Sequence, residues 1–271
     1  APSVTGTTSI AVTGNQVQMD SFDIDAIEIY QGAYAGGRDS VSNITTDIVV
    51  VDNVIIGIGE YYDHGIYVEV GNYAYTEYDR TYLWDSPVST LYATVEISGN
   101  SITGAQYGIE MFLWTEAYLG AAKEYTTFNG MIVNNEVYNS SYNGIGAYVD
   151  VYMVNYEECM SQTNDTVTIT VAQNVIDSYL DETYGIDVET YYYWWYYSGY
   201  GAMTGTMSFV IEDNDISNTY CGIYVDVYDD SLVTTEVYVL DNTIWSTDYY
   251  GIEAYADHLT MTGNVLNEGW G

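Results

Sequence analysis

Short blocks of alternating apolar and polar residues recur along most of the chain. Two clear examples are ISGNSITGAQYGIEMFL at 97–113 and IEDNDISNTYCGIYVDV at 211–227. Alternation with a period of two residues is typical of β-strands that bury one face. No apolar run approaches the length of about 18 residues that a membrane-spanning helix needs. The pattern therefore predicts an all-β chain without a membrane span.

These blocks contain a common motif. Each copy has an alternating strand, then Asn-x-Ile or Asn-x-Val, a polar turn of variable length, Gly-Ile and a second alternating strand. Successive motif asparagines from Asn53 to Asn242 are 28 to 47 positions apart. Such uneven spacing disfavours a propeller or a helical solenoid and favours a β-coil with loops inserted at one corner. Copies lie at 51–70, 97–113, 132–149, 171–190, 211–227 and 240–255, and a degenerate copy at 12–30 has Ala26 in place of the glycine.

Each repeated residue has a physical role in such a coil. Asparagine tolerates left-handed backbone conformations at a corner, and stacked copies can form an amide ladder. Glycine before isoleucine permits a second bend without a Cβ penalty. An antiparallel sandwich with glycine turns is the alternative architecture. In the coil, one inward-pointing apolar column is expected from Ile66, Ile109, Ile145, Ile186, Ile223 and Ile252.

Side chains two and four positions after the repeat glycine are expected to face outward, because side chains alternate along a strand. Acidic and aromatic residues tend to alternate in both columns, which separates many carboxylates by two coils and lowers their repulsion. Glu189 and Asp226 break the alternation and become direct neighbours, so they form a candidate metal site. A solvated acidic face that binds no ligand is the alternative.

The Asn-x-Ile and Gly-Ile repeats resemble those of the right-handed parallel β-helix family, the pectate-lyase-like coils. The resemblance covers residues 10–271 apart from the inserts. It implies a parallel β-helix, or β-solenoid, of about seven to eight irregular coils, in which amyloid-like stacking is allowed. Residues 1–271 are expected to form a single domain with inserts near 71–94, 114–130, 150–167 and 190–207.

The net charge of this chain limits the classes of partner that it can bind. Three basic residues (Arg38, Arg80 and Lys123) stand against 39 acidic ones, and the formal net charge is −36. So negative a surface repels phosphate backbones, which excludes nucleic acid as a partner. Clustered carboxylates and carbonyls suit calcium or magnesium. We therefore expect no obligatory cofactor, with calcium as the cation that such a surface would bind.

Aromatic residues point to contacts between subunits. The segment YYYWWYYSGY at 191–200 is too aromatic to be buried by one thin coil, and large exposed apolar patches usually mark contacts. Carbohydrate stacking and packing over its own coil are the alternatives. Segments 12–17 and 261–271 each resemble the first half of a coil, and unpaired coil ends can template end-to-end association. The assembly candidates are Tyr191, Tyr192, Tyr193, Trp194, Trp195, Tyr196, Tyr197 and Trp270.

The sequence offers no catalytic centre that fits a known mechanism. Lyases of the pectate-lyase-like family use an Arg or Lys base beside calcium, but the three basic residues lie outside the recurring strands. The clustered Asp and Gly-His-Gly signatures of the related hydrolases are lacking, and His64 and His258 are interpreted as surface turn residues. We expect no enzyme and no catalytic residues. The alternatives are a calcium-dependent glycan-binding adhesin and, less favoured, a polysaccharide lyase or hydrolase.

Several features are typical of an exported protein. The chain opens at Ala1 without an initiator methionine, as a processed terminus would. Cys159 and Cys221 suit a disulfide within one subunit, a disulfide between subunits or two free thiols. The glycosylation candidates are Asn43, Asn139 and Asn164, each in an Asn-x-Ser/Thr sequon.

With 33 tyrosines and few basic residues, the chain resembles in character the amyloid-like sheath proteins of filamentous methanogenic archaea. That resemblance implies an extracellular structural protein that self-assembles into a sheath, tube or filament at the cell envelope. The partners expected from it are further copies of the chain and cell-wall glycans.

Overall fold

The computed structural model describes residues 2–19, 25–37, 39–57, 64–76, 86–119, 121–155, 160–178, 183–196, 201–229 and 232–267. All regular secondary structure in these residues is β-strand, and none of them forms a helix that could span a membrane. The first strands are β1 (Ser3–Thr13), β2 (Gln16–Gln18), β3 (Ile27–Gly36), β4 (Val41–Val51), β5 (Val54–Ile56), β6 (His64–Tyr75), β7 (Val88–Ser98), β8 (Ser101–Thr103), β9 (Tyr107–Tyr118), β10 (Lys123–Val133), β11 (Glu136–Tyr138) and β12 (Asn143–Asn155). The remainder are β13 (Gln162–Ala172), β14 (Val175–Asp177), β15 (Tyr184–Tyr196), β16 (Ala202–Glu212), β17 (Asp215–Ser217), β18 (Cys221–Val227), β19 (Val233–Leu240), β20 (Thr243–Trp245), β21 (Tyr250–Ala256), β22 (His258–Thr262) and β23 (Val265–Asn267).

The strands form three sheets in which neighbouring strands are three elements apart along the chain. Sheet A contains eight strands from β1 to β22, sheet B contains eight three-residue strands from β2 to β23, and sheet C contains seven strands from β3 to β21. Every strand pair among the described residues is parallel. The chain is therefore an all-β parallel β-solenoid, and the antiparallel sandwich is wrong.

The predicted isoleucine column runs through the core. Its members pair in register from one strand of sheet C to the next. Those from Ile66 to Ile223 are fully buried, and Ile252 in the last coil is partly buried. Opposite them, sheet A contributes side chains such as Leu91, Phe128 and Phe209 to the same apolar cluster. Burying each such side chain stabilises the fold by about 1.5–3 kcal/mol, so the stacked columns supply most of the cohesion.

The corner between sheets A and B contains the predicted amide ladder. The backbone N–H and the side-chain Nδ2 of Asn135 both donate to Oδ1 of Asn174, at 2.9 and 3.0 Å. The same Nδ2 donates to the carbonyl oxygen of Ile97 at 2.9 Å. This geometry repeats from coil to coil, so each buried side-chain amide is satisfied by its neighbours. The amide ladder consists of Asn15, Asn53, Asn100, Asn135, Asn174, Asn214, Asn242 and Asn264.

The left-handed conformation predicted for the ladder asparagines is wrong. The left-handed residue is the one before each ladder asparagine, for example Gln173 with φ 58°. The repeat glycines are not left-handed and are needed for close packing instead. A Cβ atom on Gly144 would lie 2.6 Å from the carbonyl oxygen of Gly185 and 2.6 Å from Cγ2 of Ile176. Glycine therefore lets adjacent coils approach each other at this corner.

Long strands occupy most of the described sequence that was predicted as inserts. In segment 114–130, β9 continues to Tyr118 and β10 begins at Lys123. In segment 150–167, β12 continues to Asn155 and β13 begins at Gln162. The described parts of 71–94 and 190–207 likewise belong to strands of sheets A and C. Each coil has three strands, and the motif includes only the last one or two residues of each sheet A strand, because the rest of that strand carries no recurring Asn or Gly.

Candidate functional surface

The outer side of sheet C has two columns of acidic and aromatic side chains in the predicted register. Tyr67 lies between Glu28 and Glu110 in the first column, and Glu69 lies beside Tyr30 in the second. The outward alternation expected from the sequence is confirmed by this pairing. We call the two columns the acid–tyrosine face. Its members are Glu28, Tyr67, Glu110, Gly146, Asp187, Tyr224 and Glu253, and Tyr30, Glu69, Phe112, Tyr148, Glu189, Asp226 and Tyr255.

Tyrosine hydroxyls act as the main hydrogen-bond donors to the carboxylates of this face. The Tyr67 hydroxyl donates to Glu69 at 2.9 Å, and the Tyr255 hydroxyl donates to Glu253 at 2.8 Å. Burial and the neighbouring Glu69 raise the pKa of Tyr67 far above its usual value. Each such phenol therefore keeps its proton as a donor, a role that Lys or Arg would take in a less acidic chain.

Two aspartate carboxyl groups of sheet C, like the carboxyl group of Glu110, are buried although they point outward. Asp187 is 6% exposed and accepts hydrogen bonds from the Tyr148 hydroxyl at 2.9 Å and from Nδ2 of Asn143 at 3.1 Å. Burial, reinforced by the charge of Glu189, raises the pKa of Asp187 to about 7. The same two causes raise the pKa of Asp150 to about 6. Near neutral pH these groups can exchange protons.

Glu189 and Asp226, the candidate metal site, are direct neighbours in the register of β15 and β18. Glu189 also accepts a hydrogen bond from the Tyr191 hydroxyl, while one carboxylate oxygen of Asp226 is buried without a donor among the described residues. No group of three His, Cys, Asp or Glu side chains converges as a metal-ligand set in the described part of the chain. Calcium binding by this pair stays a prediction.

His64 is not a surface turn residue, and that interpretation is wrong. It begins β6, where Nδ1 lies 2.7 Å from Asp25 and Nε2 lies 2.9 Å from Glu110. The imidazole also stacks on Tyr107 at 4.7 Å between ring centroids. Burial lowers its pKa, but hydrogen bonds and charge from Glu110 and Asp25 outweigh burial and raise the pKa above its usual value. No local pattern in the sequence indicates this contact, because the three residues come from different coils.

The aromatic assembly candidates are only partly exposed. Tyr191, Tyr193 and Trp194 are exposed, whereas Tyr192 packs against the core and its hydroxyl lies 3.4 Å from Sδ of Met207. A row of stacked rings, Trp114, Tyr152 and Tyr193, has centroid spacings of 4.8 and 4.2 Å. The side chains of Trp195 and Tyr196, together with Tyr197 and Trp270, lie outside the described residues. Stacked rings beside carboxylates can bind a hydroxyl-rich ligand or a second protein surface.

The remaining candidate site residues are the two cysteines and the asparagines of the three sequons. Cys221 is a buried free thiol and Cys159 lies outside the described residues, so the pairing of the two cysteines stays a prediction. Among the sequons, Asn139 and Asn164 are exposed and Asn43 is half-buried in β4.

Basic residues do not converge in the described part of the chain. Lys123 begins β10, which corrects its assignment outside the strands, while Arg38 and Arg80 lie outside the described residues. His258 begins β22, is mostly exposed and lies 3.2 Å from Asp229.

Comparison with protein-family models, with curated proteins and with solved structures finds no match to this chain. The parallel β-solenoid is established by its sheet topology alone. The more specific kinships, to the pectate-lyase-like family and to archaeal sheath proteins, have no support from these comparisons.

Proposed function

We propose that this chain is a structural, non-catalytic protein of the cell surface whose copies stack into a sheath, tube or filament. The single observation that carries the proposal is the parallel, in-register stacking of the coils, in which the first and last strands of each described sheet have one described neighbour. Strand β1 pairs only with β4, and β22 pairs only with β19. Sheets B and C likewise end in strands that have one neighbour each. Unpaired parallel edges are templates for further strands.

The two edges have complementary hydrogen-bonding groups. Along the amide ladder, each asparagine donates two hydrogen bonds to Oδ1 of the next asparagine. Among the described residues, Oδ1 of Asn15 therefore lacks a donor, and the backbone N–H of Asn264 lacks an acceptor. A second copy placed with Asn15 next to Asn264 would continue the ladder. This complementarity favours a head-to-tail contact between copies over a head-to-head contact.

Apolar side chains on the end coils support the same contact. Val4 in β1, Met261 in β22 and Leu266 in β23 are exposed, whereas equivalent positions in the middle coils are covered by neighbouring strands. Stacking would remove this apolar area from water, which is the main driving force of association. The net charge of −36 opposes it, so millimolar calcium is expected to promote assembly by screening and bridging carboxylates.

Sedimentation velocity and negative-stain imaging of the 271-residue chain at neutral pH, with and without millimolar calcium, test whether it assembles. We expect tubes, hoops or filaments with an axial diffraction spacing of about 4.8 Å. A monodisperse 30.3 kDa monomer under both conditions would overturn the proposal.

Two edge variants test the head-to-tail contact. The carbonyl oxygen of Thr262 accepts a bond from Asp241 within the stack, so by alternation the N–H of Met261 faces the open edge. Gly14 donates to Val51, so the N–H of Thr13 and of Ala11 faces the other open edge. Ala11→Pro and Met261→Pro remove one edge donor each, and Ala11→Ser and Met261→Ala are controls that keep it.

Each proline variant alone is expected to remain monomeric, and their equimolar mixture is expected to stop at dimers. Both controls are expected to assemble like the unmodified chain. If either proline variant dimerises alone, the head-to-tail arrangement is wrong even if assembly itself occurs.

A calcium-dependent glycan-binding adhesin is the second candidate, favoured by the ring row of Trp114, Tyr152 and Tyr193. Glycan arrays with and without a chelator test it, with Tyr193→Ala as the variant and Tyr92→Ala, an exposed tyrosine of sheet A, as the control. Loss of binding only in Tyr193→Ala would support this function. Release of unsaturated or reducing sugars from any arrayed glycan would instead support a lyase or a hydrolase.

A further inference from the structure

A cluster of polar residues is enclosed between sheets A and C. Glu124 and Thr126 on β10 face inward, and they pair in register with Thr163 and Asp165 on β13. Glu124 and Asp165 are therefore diagonal neighbours on adjacent strands. All four side chains are 3% exposed or less. No repeated signature marks this cluster in the sequence, because it lies on the part of the sheet A strands that falls outside the repeat motif.

Each carboxyl group has one oxygen with donors and one without. Oε1 of Glu124 accepts hydrogen bonds from the Thr126 hydroxyl and from Nδ2 of Asn72 on β6. Oδ2 of Asp165 accepts a longer one, 3.4 Å, from the Thr115 hydroxyl on β9. Oε2 of Glu124 and Oδ1 of Asp165 are buried without a donor among the described residues.

No cationic group faces the pair in the described part of the chain. Lys123 is adjacent to Glu124 in sequence, but strand alternation turns its side chain to the outer side of sheet A. The groups that approach from β6, β7 and β9 are the uncharged Asn72, Ser89 and Thr115. Two ionised carboxylates at this depth would face each other with neither solvent nor a counterion, at a high energetic cost.

We propose that Glu124 and Asp165 share one proton at neutral pH, so that a carboxyl–carboxylate hydrogen bond ties β10 to β13 inside the core. The shared proton supplies the missing donor between the two unpartnered oxygens, and it requires no space for an ion. Because the second proton would be bound only at lower pH, the pair titrates as a unit. The inference is independent of whether copies of the chain assemble.

Electrostatics agrees with this geometry. Burial is the main cause that raises the pKa of Glu124 well above its usual value, and the charge of Asp165 adds to it. Burial also raises the pKa of Asp165. For a carboxyl group with a raised folded-state pKa, the stabilising contribution is complete below the unfolded pKa and is lost as pH rises through the folded pKa. The pair therefore makes the fold more stable in acid than in alkali.

Infrared spectroscopy and urea unfolding of Glu124→Gln test the proposal. At about pH 8 the unmodified chain should show the C=O stretch of a protonated carboxyl group, and Glu124→Gln should lack it, since a glutamine amide can donate to Asp165 without a bound proton. Folding of the unmodified chain should take up about one more proton than folding of the variant between about pH 5 and 8. Glu136→Gln, an exposed site on β11, is the control and should change neither result.

Two outcomes would overturn the proposal. One is an unchanged infrared band and an unchanged pH dependence in Glu124→Gln. The other is a free energy of unfolding that depends on calcium or on a chelator at constant pH in the unmodified chain but not in Glu124→Gln. Such a dependence would mean that a cation occupies the pair. If Glu124→Gln does not fold, Asp165→Asn provides the same comparison, and it should likewise lack the infrared band that the unmodified chain shows at about pH 8.

Discussion

The amide ladder and the two columns of the acid–tyrosine face all gain one member with each coil, yet stacking stabilises the ladder and brings like charges together on the face. In the ladder, Asn135 is fully buried, uncharged and bonded to the next asparagine through both donors. On the face, Asp187 is almost as buried but carries a carboxyl group that has no cationic partner among the described residues. Parallel stacking places equivalent positions side by side, so it multiplies a favourable amide contact and equally multiplies an unfavourable charge contact.

Interleaved tyrosines relieve the charge problem on the face. A tyrosine between two acidic residues increases the distance between the carboxylates, and its hydroxyl donates to a neighbouring carboxylate, as Tyr148 does to Asp187. Where the alternation fails, at Glu189 beside Asp226, the face is expected to respond most strongly to cations. The ladder asparagines carry no charge, so the stability of the ladder is expected to be independent of pH.

The largest expected effect is the loss of a middle rung of the ladder. Asn135→Ala removes the Nδ2 donor to Ile97 and Asn174 and the Oδ1 acceptor of Asn100, so that the buried backbone N–H of Asn100 is left without a partner. We expect a loss of about 3–5 kcal/mol in the free energy of unfolding, measured by urea denaturation. Asn15→Ala, at the open edge, removes a single side-chain bond and should cost only about 1 kcal/mol. Equal losses would contradict the ladder as a buried, cooperative feature.

The next effect concerns the close approach of coils at the glycine corner. Gly144→Ala places a Cβ atom 2.6 Å from the Gly185 carbonyl oxygen, and backbone cannot move aside cheaply. Unfolding free energy should fall by about 2 kcal/mol. A Cβ atom on Gly6 would make an ordinary contact, 3.5 Å from Cδ1 of Ile44. Gly6→Ala should therefore change stability by less than about 0.5 kcal/mol, and a similar loss in both variants would contradict the packing argument.

A smaller effect, of opposite sign, is expected on the face. The folded pKa of Asp187 is raised to about 7, so its ionisation destabilises the fold as pH rises through that value. Asp187→Asn should raise the unfolding free energy by about 1–2 kcal/mol at about pH 9 and bring no gain at about pH 3. Thermal unfolding at both pH values measures this difference. Asp248→Asn, at an exposed site, is the control, and a gain that is independent of pH would contradict the prediction.

The smallest effect on stability is expected at His64, whose imidazole lies between the carboxyl groups of Asp25 and Glu110. Because Glu110 and Asp25 raise the pKa of His64, its contribution is complete below its unfolded pKa and is lost as pH rises through the folded pKa. His64→Gln should cost about 0.5–1 kcal/mol at about pH 5.5, after allowance for solvent screening, and less at about pH 9. His258→Gln, at a mostly exposed site, should have little effect at either pH. A larger loss in alkali than in acid would rule out the charged contact.

The repeated positions of sheets B and C were predictable because identical positions recur in every coil. Because side chains alternate along a strand, the sequence assigns the adjacent Ile66 and Tyr67 to opposite faces of the sheet, and the register and burial confirm this assignment. The sheet A strands were missed because their inward positions vary from Ser42 to Glu124 to Met203 and leave no repeated signature. Their strand character is clear only once they are paired with their neighbours.

The sequence by itself determined the all-β class, the isoleucine column, the asparagine column and the outward order of acidic and aromatic residues, since each follows from local alternation and recurrence. Tertiary structure alone decided which coils place Asp25 and Glu110 on His64, and which strands bring Glu124 beside Asp165. Those contacts join residues about 40 positions apart through coils of unequal length. The register between such coils is set by packing across the whole stack, and no local pattern encodes it.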